Sequence, residues 1–491
     1  MINVKILFVI PEVNRAEGYT KEDISYIGFP SLTAATIAGL TPKDVDFEAI
    51  DEIVDPLKES DFKRYTDTDV VAISLNMTYK ANRATEIAKH FRETGKKVIW
   101  GGVHVTSVYD FHRERFEKEI APFADAVVLE EAELVWPVLI GDLKSGNLKK
   151  IYRSLRPEAK EIPSARRDVL NTEPFLVQSS IQATRGCPLN CEFCAVTSFN
   201  GPVFRIRDVS SVTAEIKGML TNSAAKNDGW IDRYKKSLIA FVDDNVAFDK
   251  NYFAVLCLEL EKIKDEFPAF RWGGQCTLNT IEKTVVLNGK TTRLVDLMKR
   301  SGCLTMFIGI ESVSRESLKS VGKNFNQPDK FAEQIRKFHD AGISIIAGMI
   351  VGFEEDGERV FENIYEFLTK NKVELSLINV LTPLPGTALY RRYEKEGILI
   401  DYNWEHYDGR HAVYRPKRMS PERLEKSFFE LWNALYGSDV SIAKRLIYPA
   451  SVWKIMKNPS QAAQIFSRFL INKRYGQIAE RIMKSRQNIL V

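Results

Sequence analysis

The sequence predicts an α/β protein: a doubly wound parallel sheet in front, a complete or partial βα barrel behind it, and a mostly helical C-terminal region. Three observations predict this. Over the first 150 residues, apolar β-type runs alternate with helix-like stretches; from about Phe175 to residue 400 the alternation resumes on a larger scale; beyond Pro416 the pattern is helical to the end. Strands separated by helical stretches imply βαβ units and a parallel sheet. The expected units are residues 1–150, a linker over 151–174, the barrel over 175–400 and the C-terminal region over 401–491.

In the front unit, Lys5–Ile10, Val70–Leu75, Lys97–Trp100 and Ala126–Leu129 read as strands, with helical stretches at Ser31–Leu40 and Ala81–Thr94. The run Lys97–Trp100 leads straight into Gly101-Gly102-Val103-His104, a turn at the carboxyl end of a strand, where open α/β sheets place their ligands. The linker holds Pro157, Pro163 and Pro174 among mixed charges. The barrel strands are Ser179–Thr184, Ser237–Val242, Arg271–Thr277, Thr305–Ile310, Ser344–Ile350 and Ser376–Leu381. Functional residues of such a barrel sit on the loops after its strands.

Composition sets the class. The 491 residues are 44% hydrophobic and 27% charged, the balance of a globular chain with several cores. The N-terminus, MINVKILFVIPEV, has only Lys5 before a short apolar run and then Pro11 and Glu12, which suits a first strand better than a secretory signal. No apolar stretch approaches the ~20 residues of a spanning helix, so a cytoplasmic protein is expected. Six cysteines are too few for a disulfide scaffold, and three fall within eight residues, which favours metal binding.

Those three form Thr184-Arg-Gly-Cys187-Pro-Leu-Asn-Cys191-Glu-Phe-Cys194, a C-x3-C-x2-C loop directly after a strand. Three thiolates can hold three irons of a cubane cluster and leave the fourth open to a substrate, whereas a closed electron-transfer cluster takes four. The alternatives are a zinc site, which needs a fourth ligand from Cys257, Cys276, Cys303 or a histidine, and a non-enzymatic iron–sulfur carrier or sensor. The loop resembles that of the radical S-adenosylmethionine (SAM) superfamily, and Phe193 before the last cysteine matches as well. The resemblance implies a 4Fe-4S cluster on Cys187, Cys191 and Cys194, with SAM chelated at the open iron and cleaved to a 5′-deoxyadenosyl radical. It further implies SAM contacts by Phe193, by Asp243 or Asp244 on the amino group, by Gln275, and by Glu311 on the ribose; Arg205 or Arg207 are weaker candidates for the carboxylate. Read as residues alone, Asp243 and Asp244 could instead cap a helix and Glu311 could form a buried ion pair.

The front unit resembles the cobalamin-binding domain that precedes many of these enzymes. The resemblance rests on Val71-Ala72-Ile73-Ser74, Gly101-Gly102-Val103-His104 and the strand at Ala126, and implies cobalamin contacts by Ser74, Gly101, Gly102 and His104. The cobalamin-ligating D-x-H-x-x-G pattern is absent, and Glu130-Glu131-Ala132-Glu133 departs from the Gly-Glu-(Gly/Ala)-Glu of relatives, placing a charge where glycine is usual. The segment Trp404–Pro421 is similar to the trailing domain of a subgroup that includes hopanoid methylases and is akin to anaerobic porphyrin cyclases. Together these imply radical C-methylation of a small-molecule, apolar or lipid-like substrate, fed by an external electron donor such as flavodoxin or ferredoxin; without cobalamin, coupling, cyclisation or rearrangement is expected.

The last residues, Ser441–Val491, carry ten Lys or Arg against one acid, Glu480, in a chain of net charge +4. Apolar residues at helical intervals beside these cations fit either a peripheral helix on an anionic membrane surface or helices packed on the barrel with solvated charges. No nucleic-acid partner is expected, because no recognised binding module accompanies the basic tail.

Overall fold

The structure, a computed structural model, describes residues 4–13, 28–58, 60–224 and 230–438, with single positions at 442, 472, 473, 476, 477 and 481. Six strands, β1 (Lys5–Ile10), β2 (Asp46–Asp51), β3 (Val70–Ser74), β4 (Lys97–Gly101), β5 (Ala126–Leu129) and β6 (Ile151–Arg153), make the front sheet. They pair in the order β2-β1-β3-β4-β5-β6, every pair parallel. The continuous apolar text of β1 follows from burial on both faces. Ile6 and Phe8 enter one core with the helices Leu32–Leu40 and Trp136–Lys144, while Leu7 and Val9 enter another with Ala81–Glu93 and Val103–Phe111. That is a doubly wound sheet, and its chain order reverses between β1 and β3.

Two front strands escape a periodicity argument. The edge strand β2 reads Asp-Phe-Glu-Ala-Ile-Asp, half acidic, and β6 has only three residues, of which Tyr152 alone is buried. Because β6 pairs with β5, the sheet runs past residue 150 into the segment expected to be linker.

The second sheet contains β7 (Ser179–Ile181), β10 (Leu238–Phe241), β11 (Arg271–Cys276), β14 (Cys303–Glu311), β15 (Ser344–Val351) and β16 (Leu375–Val380). Its order is β16-β15-β14-β11-β10-β7, all parallel, with β16 and β7 as its edges, so the barrel is partial. The expected single strand Ser179–Thr184 divides. Its end leaves the sheet as β8 (Thr184–Arg185) and pairs antiparallel with β9 (Arg205–Ile206), and this small ladder ties the base of the cysteine loop. A hairpin of β12 (Thr284–Leu287) and β13 (Lys290–Arg293) lies outside both sheets.

The C-terminal region begins as irregular chain. Residues 401–420 hold only a short turn at Trp404–His406 and a bridge from Tyr414 to Leu399, because Asn403, Asp408-Gly409 and Pro416 favour turns. This segment reaches back to the front domain: the Trp404 indole donates to Glu119 at 2.6 Å, and Arg115 donates to the Tyr402 carbonyl at 3.0 Å. A helix follows over Pro421–Tyr436, with Ser420 accepting from the Arg423 amide. The basic tail lies largely outside the described residues. Among the described residues, no helix is long and apolar enough to cross a membrane.

Candidate active site

The cysteine loop leaves the barrel at Gly186, whose φ of +86° and close approach to the Val203 carbonyl exclude a side chain. Cys187, Cys191 and Cys194 are unpaired and half-buried. Burial raises all three thiols above their ordinary range, Cys194 to about 12, so metal binding must displace protons from them. The loop is held from both sides. The Glu192 amide donates to the Val321 carbonyl at 3.1 Å, and the Glu192 carboxylate takes Arg392 at 2.8 and 3.2 Å. The other three cysteines, Cys257, Cys276 and Cys303, are buried in the hydrophobic core, where desolvation pushes Cys257 and Cys276 up to about 12. Among the described residues no three His, Cys, Asp or Glu converge as they would on one metal ion. The loop's donor set fits a cubane cluster, which takes one thiolate per iron.

The two neighbouring aspartates after β10 have different fates. Asp243 is buried and accepts from the amides of Ala183 and Thr184 and from the Thr184 hydroxyl, so it fastens the start of the cysteine loop to the sheet. Burial raises its pKa to about 7 against those hydrogen bonds. Asp244 accepts from the Gly186 amide at 3.1 Å and from Asn200 at 3.2 Å, both on Oδ2. Its Oδ1 has no hydrogen-bond partner among the described residues. Glu311 ends β14 with φ +66°, a left-handed conformation that is strained for glutamate, beside a bulge in the β14–β15 ladder. Its carboxylate pairs with Lys323 at 2.5 Å, and both side chains are nearly buried. Gln275 is half-buried on β11.

The two candidate arginines are both held in ion pairs. Arg205 binds Glu131 and the carbonyls of Pro157 and Asn200, while Arg207 binds Glu215 and the Gln182 carbonyl. Arg185, two residues before Cys187, reaches Glu131 at 2.7 Å and Glu133 at 2.6 Å. These four side chains are 2–12% exposed. They form a buried interdomain clamp of two acids and two bases, which neither local composition nor periodicity discloses.

Glu130, where the sequence departs from glycine, has φ +65°; its amide donates to the Thr106 hydroxyl at 2.8 Å, and its carboxylate pairs with Arg153 at 2.9 Å. Residue 130 thus stands in a left-handed conformation that favours glycine, and here a salt bridge accompanies the strained residue.

One cavity of about 880 Å³ lies between the carboxyl ends of the two sheets. Ser74, Gly101, Gly102 and His104 line its front side, and Phe193, Asp244, Ile350, Asn379 and Leu381 its barrel side. Gly102 has φ +110°, and a Cβ there would lie 2.6 Å from the Leu75 carbonyl oxygen. His104 Nδ1 lies 3.2 Å from the Thr78 hydroxyl, its ring meets Trp404 edge-on, and burial lowers its pKa to about 3, so it is neutral. The structure therefore brings together the four front-domain candidates with Phe193 and Asp244. Asp243, Gln275 and Glu311 are not among the lining residues.

The chain matches the Radical SAM superfamily profile over residues 181–368. It is 30% identical over 420 residues to a bacteriochlorophyllide d C-12(1)-methyltransferase of Chlorobaculum tepidum, spanning 84% of this chain and 84% of the relative. It is 24% identical to a hopanoid C-2 methylase of Rhodopseudomonas palustris, spanning 81% of this chain and 71% of the relative. The fold is similar to that of the radical SAM methyltransferase TsrM from Kitasatospora setae, solved with cobalamin and a [4Fe-4S] cluster, at a TM-score of 0.62 and 14% identity, over 99% of this chain and 100% of that one. With its three-cysteine loop on a partial barrel behind a doubly wound front domain, the chain belongs to the radical SAM superfamily.

Proposed function

We propose that the chain is a cobalamin-dependent radical SAM methyltransferase that methylates an unactivated carbon of an apolar, polycyclic substrate. The observation that carries this reading is the shared cavity: a group resting on the front strands and a group on the cysteine loop face the same space. The front side would hold a large cofactor, since its strand ends present the small residues Ser74, Gly101 and Gly102 beside His104. Relatives named for a bacteriochlorophyllide and a hopanoid support an extended apolar substrate.

When bound, the reduced cluster and SAM supply a radical that takes hydrogen from carbon, and cobalamin supplies the methyl group. Cys187, Cys191 and Cys194 hold the cluster. Asp244, with Oδ1 open, takes the ammonium of SAM, and Asp243 keeps the loop in place for it. Glu311 is held by Lys323 through Oε1 and would offer a ribose hydroxyl its other carboxylate oxygen. Phe193, Ile350 and Leu381 line the space between and exclude water. An external one-electron donor such as flavodoxin or ferredoxin completes the system.

The test is anaerobic reconstitution of the full chain with iron, sulfide and hydroxocobalamin, followed by reduction with SAM present. Corrinoid absorbance retained through gel filtration and formation of 5′-deoxyadenosine, lost in Cys191→Ala, are expected. A protein that forms the cluster yet retains no corrinoid would overturn the methyl-transfer reading. Absence of 5′-deoxyadenosine would overturn the radical one.

A further inference from the structure

The cavity has a second open carboxylate, far in sequence from the cysteine loop. Asp408 lies in the segment Trp404–Pro421, beside Gly409, whose carbonyl accepts from the Val380 amide at 2.7 Å at the end of β16. Three donors converge on one oxygen of Asp408: the Arg410 amide at 2.8 Å, the His411 amide at 3.2 Å and His411 Nδ1 at 3.0 Å, all on Oδ1. Oδ2 has no hydrogen-bond partner among the described residues, and the side chain is only 9% exposed while lining the cavity. Asn379 stands beside the adjacent Gly409, where a Cβ would lie 2.8 Å from Asn379 Oδ1, and lines the same cavity as Asp408. Asn379 is exposed on the cavity wall, among the apolar neighbours Ile350, Val380 and Leu381.

The charges lining the cavity sharpen the point. Five carboxylates, on Glu130, Glu131, Glu133, Asp244 and Asp408, face one guanidinium, on Arg185. Glu130, Glu131 and Glu133 have arginine partners, whereas Asp244 and Asp408 have no Lys or Arg ion pair among the described residues. Burial opposes ionisation of Asp408, but the His411 hydrogen bond and the charges of His411 and Arg410 hold its pKa below the ordinary carboxylate range. An anionic group entering beside Asp408 would meet the fixed negative charge of its carboxylate.

We propose that Asp408 and Asn379 form a polar subsite that anchors the substrate by a hydrogen-bond donor, an amide, amine or hydroxyl, and rejects a carboxylate at that end. This rests on the reading of the cavity as a methyltransferase site and adds the substrate's chemical class to it. The apolar wall supplies most of the contact, and the two polar groups fix which edge of the skeleton faces them.

The experiment measures equilibrium binding of two matched pairs to the reconstituted full chain: pheophorbide a against its primary amide, and betulinic acid against betulin. The amide and the alcohol are expected to bind about 10-fold or more tightly than the acids, because a site built to accept a hydrogen bond leaves its acceptor unpaired otherwise. Asp408→Asn should reduce that preference to near unity, and Asn379→Leu should weaken the amide and alcohol about 10-fold with little effect on the acids. Acids binding as tightly as their partners, or no saturable binding by amide and alcohol alike, overturns the inference. Formation of 5′-deoxyadenosine by the unsubstituted protein without probe judges the radical reading separately: cleavage without donor preference sinks this inference alone, and preference without cleavage sinks that reading alone.

Discussion

The two sides of the shared cavity are built from opposite materials. The strand ends of the front side present Ser74, Gly101, Gly102 and a histidine that burial keeps uncharged, and the acids beside them, Glu130, Glu131 and Glu133, are paired with arginines. Its space depends on backbone conformation and missing side chains. The barrel side carries the polar chemistry, with three thiols close by, an open aspartate and a strained glutamate bound to lysine. Between them runs the clamp of Arg185 and Arg205 with Glu131 and Glu133. The difference teaches that one side offers shape and the other offers charge, and that ion pairs at the seam fix their mutual position.

Breaking the charged side has the largest expected effect. Cys194→Ala should lower bound iron and reduce SAM cleavage by about 1000-fold or to background, measured by iron assay and 5′-deoxyadenosine yield. Breaking the seam comes next. Glu131→Ala leaves two nearly buried guanidiniums without their shared partner and should destabilise the fold by about 3–5 kcal/mol, seen as a lower midpoint in chemical unfolding. If Glu131→Ala unfolds like the unsubstituted chain, the seam is not held by charge.

The front side should respond less. Gly102→Ala, at φ +110° and facing the Leu75 carbonyl, is expected to destabilise by about 1–3 kcal/mol and to lower corrinoid retention, with iron content unchanged. The remaining effect is one of pH. Folding lowers the His104 pKa from 6.5 to about 3, so the unfolded chain takes up a proton first on acidification. The contribution is complete above pH 6.5 and is lost as pH falls from 6.5 towards 3, with a limiting slope of about 1.4 kcal/mol per pH unit. His104→Gln should remove that slope and leave the similar one of His112, whose pKa burial lowers to about 4.

Much of this was legible in the sequence where the signal is local. β1, β3, β4 and β5 are apolar runs bounded by turn residues, and the cysteine spacing is a fixed pattern on one loop. The strands β2 and β6 were not legible, since an acidic edge strand and a three-residue strand earn their places from neighbours rather than from period. Asp243 and Asp244 look alike in the text. Only the fold separates them, burying the first against Thr184 and leaving the second an open oxygen.

By itself the sequence determined the fold class, the three-cysteine loop and the glycine turn after β4, because each depends on residues close together in the chain. The tertiary structure alone decided that Arg185 and Arg205 serve Glu131 and Glu133, that Glu311 is paired with Lys323, and that Asp408 and Asn379 border the same cavity as Asp244. Those pairings join residues from 12 to 74 positions apart, or more. Their cause is the desolvation of charge on folding, which makes each buried ion seek whatever partner the topology delivers.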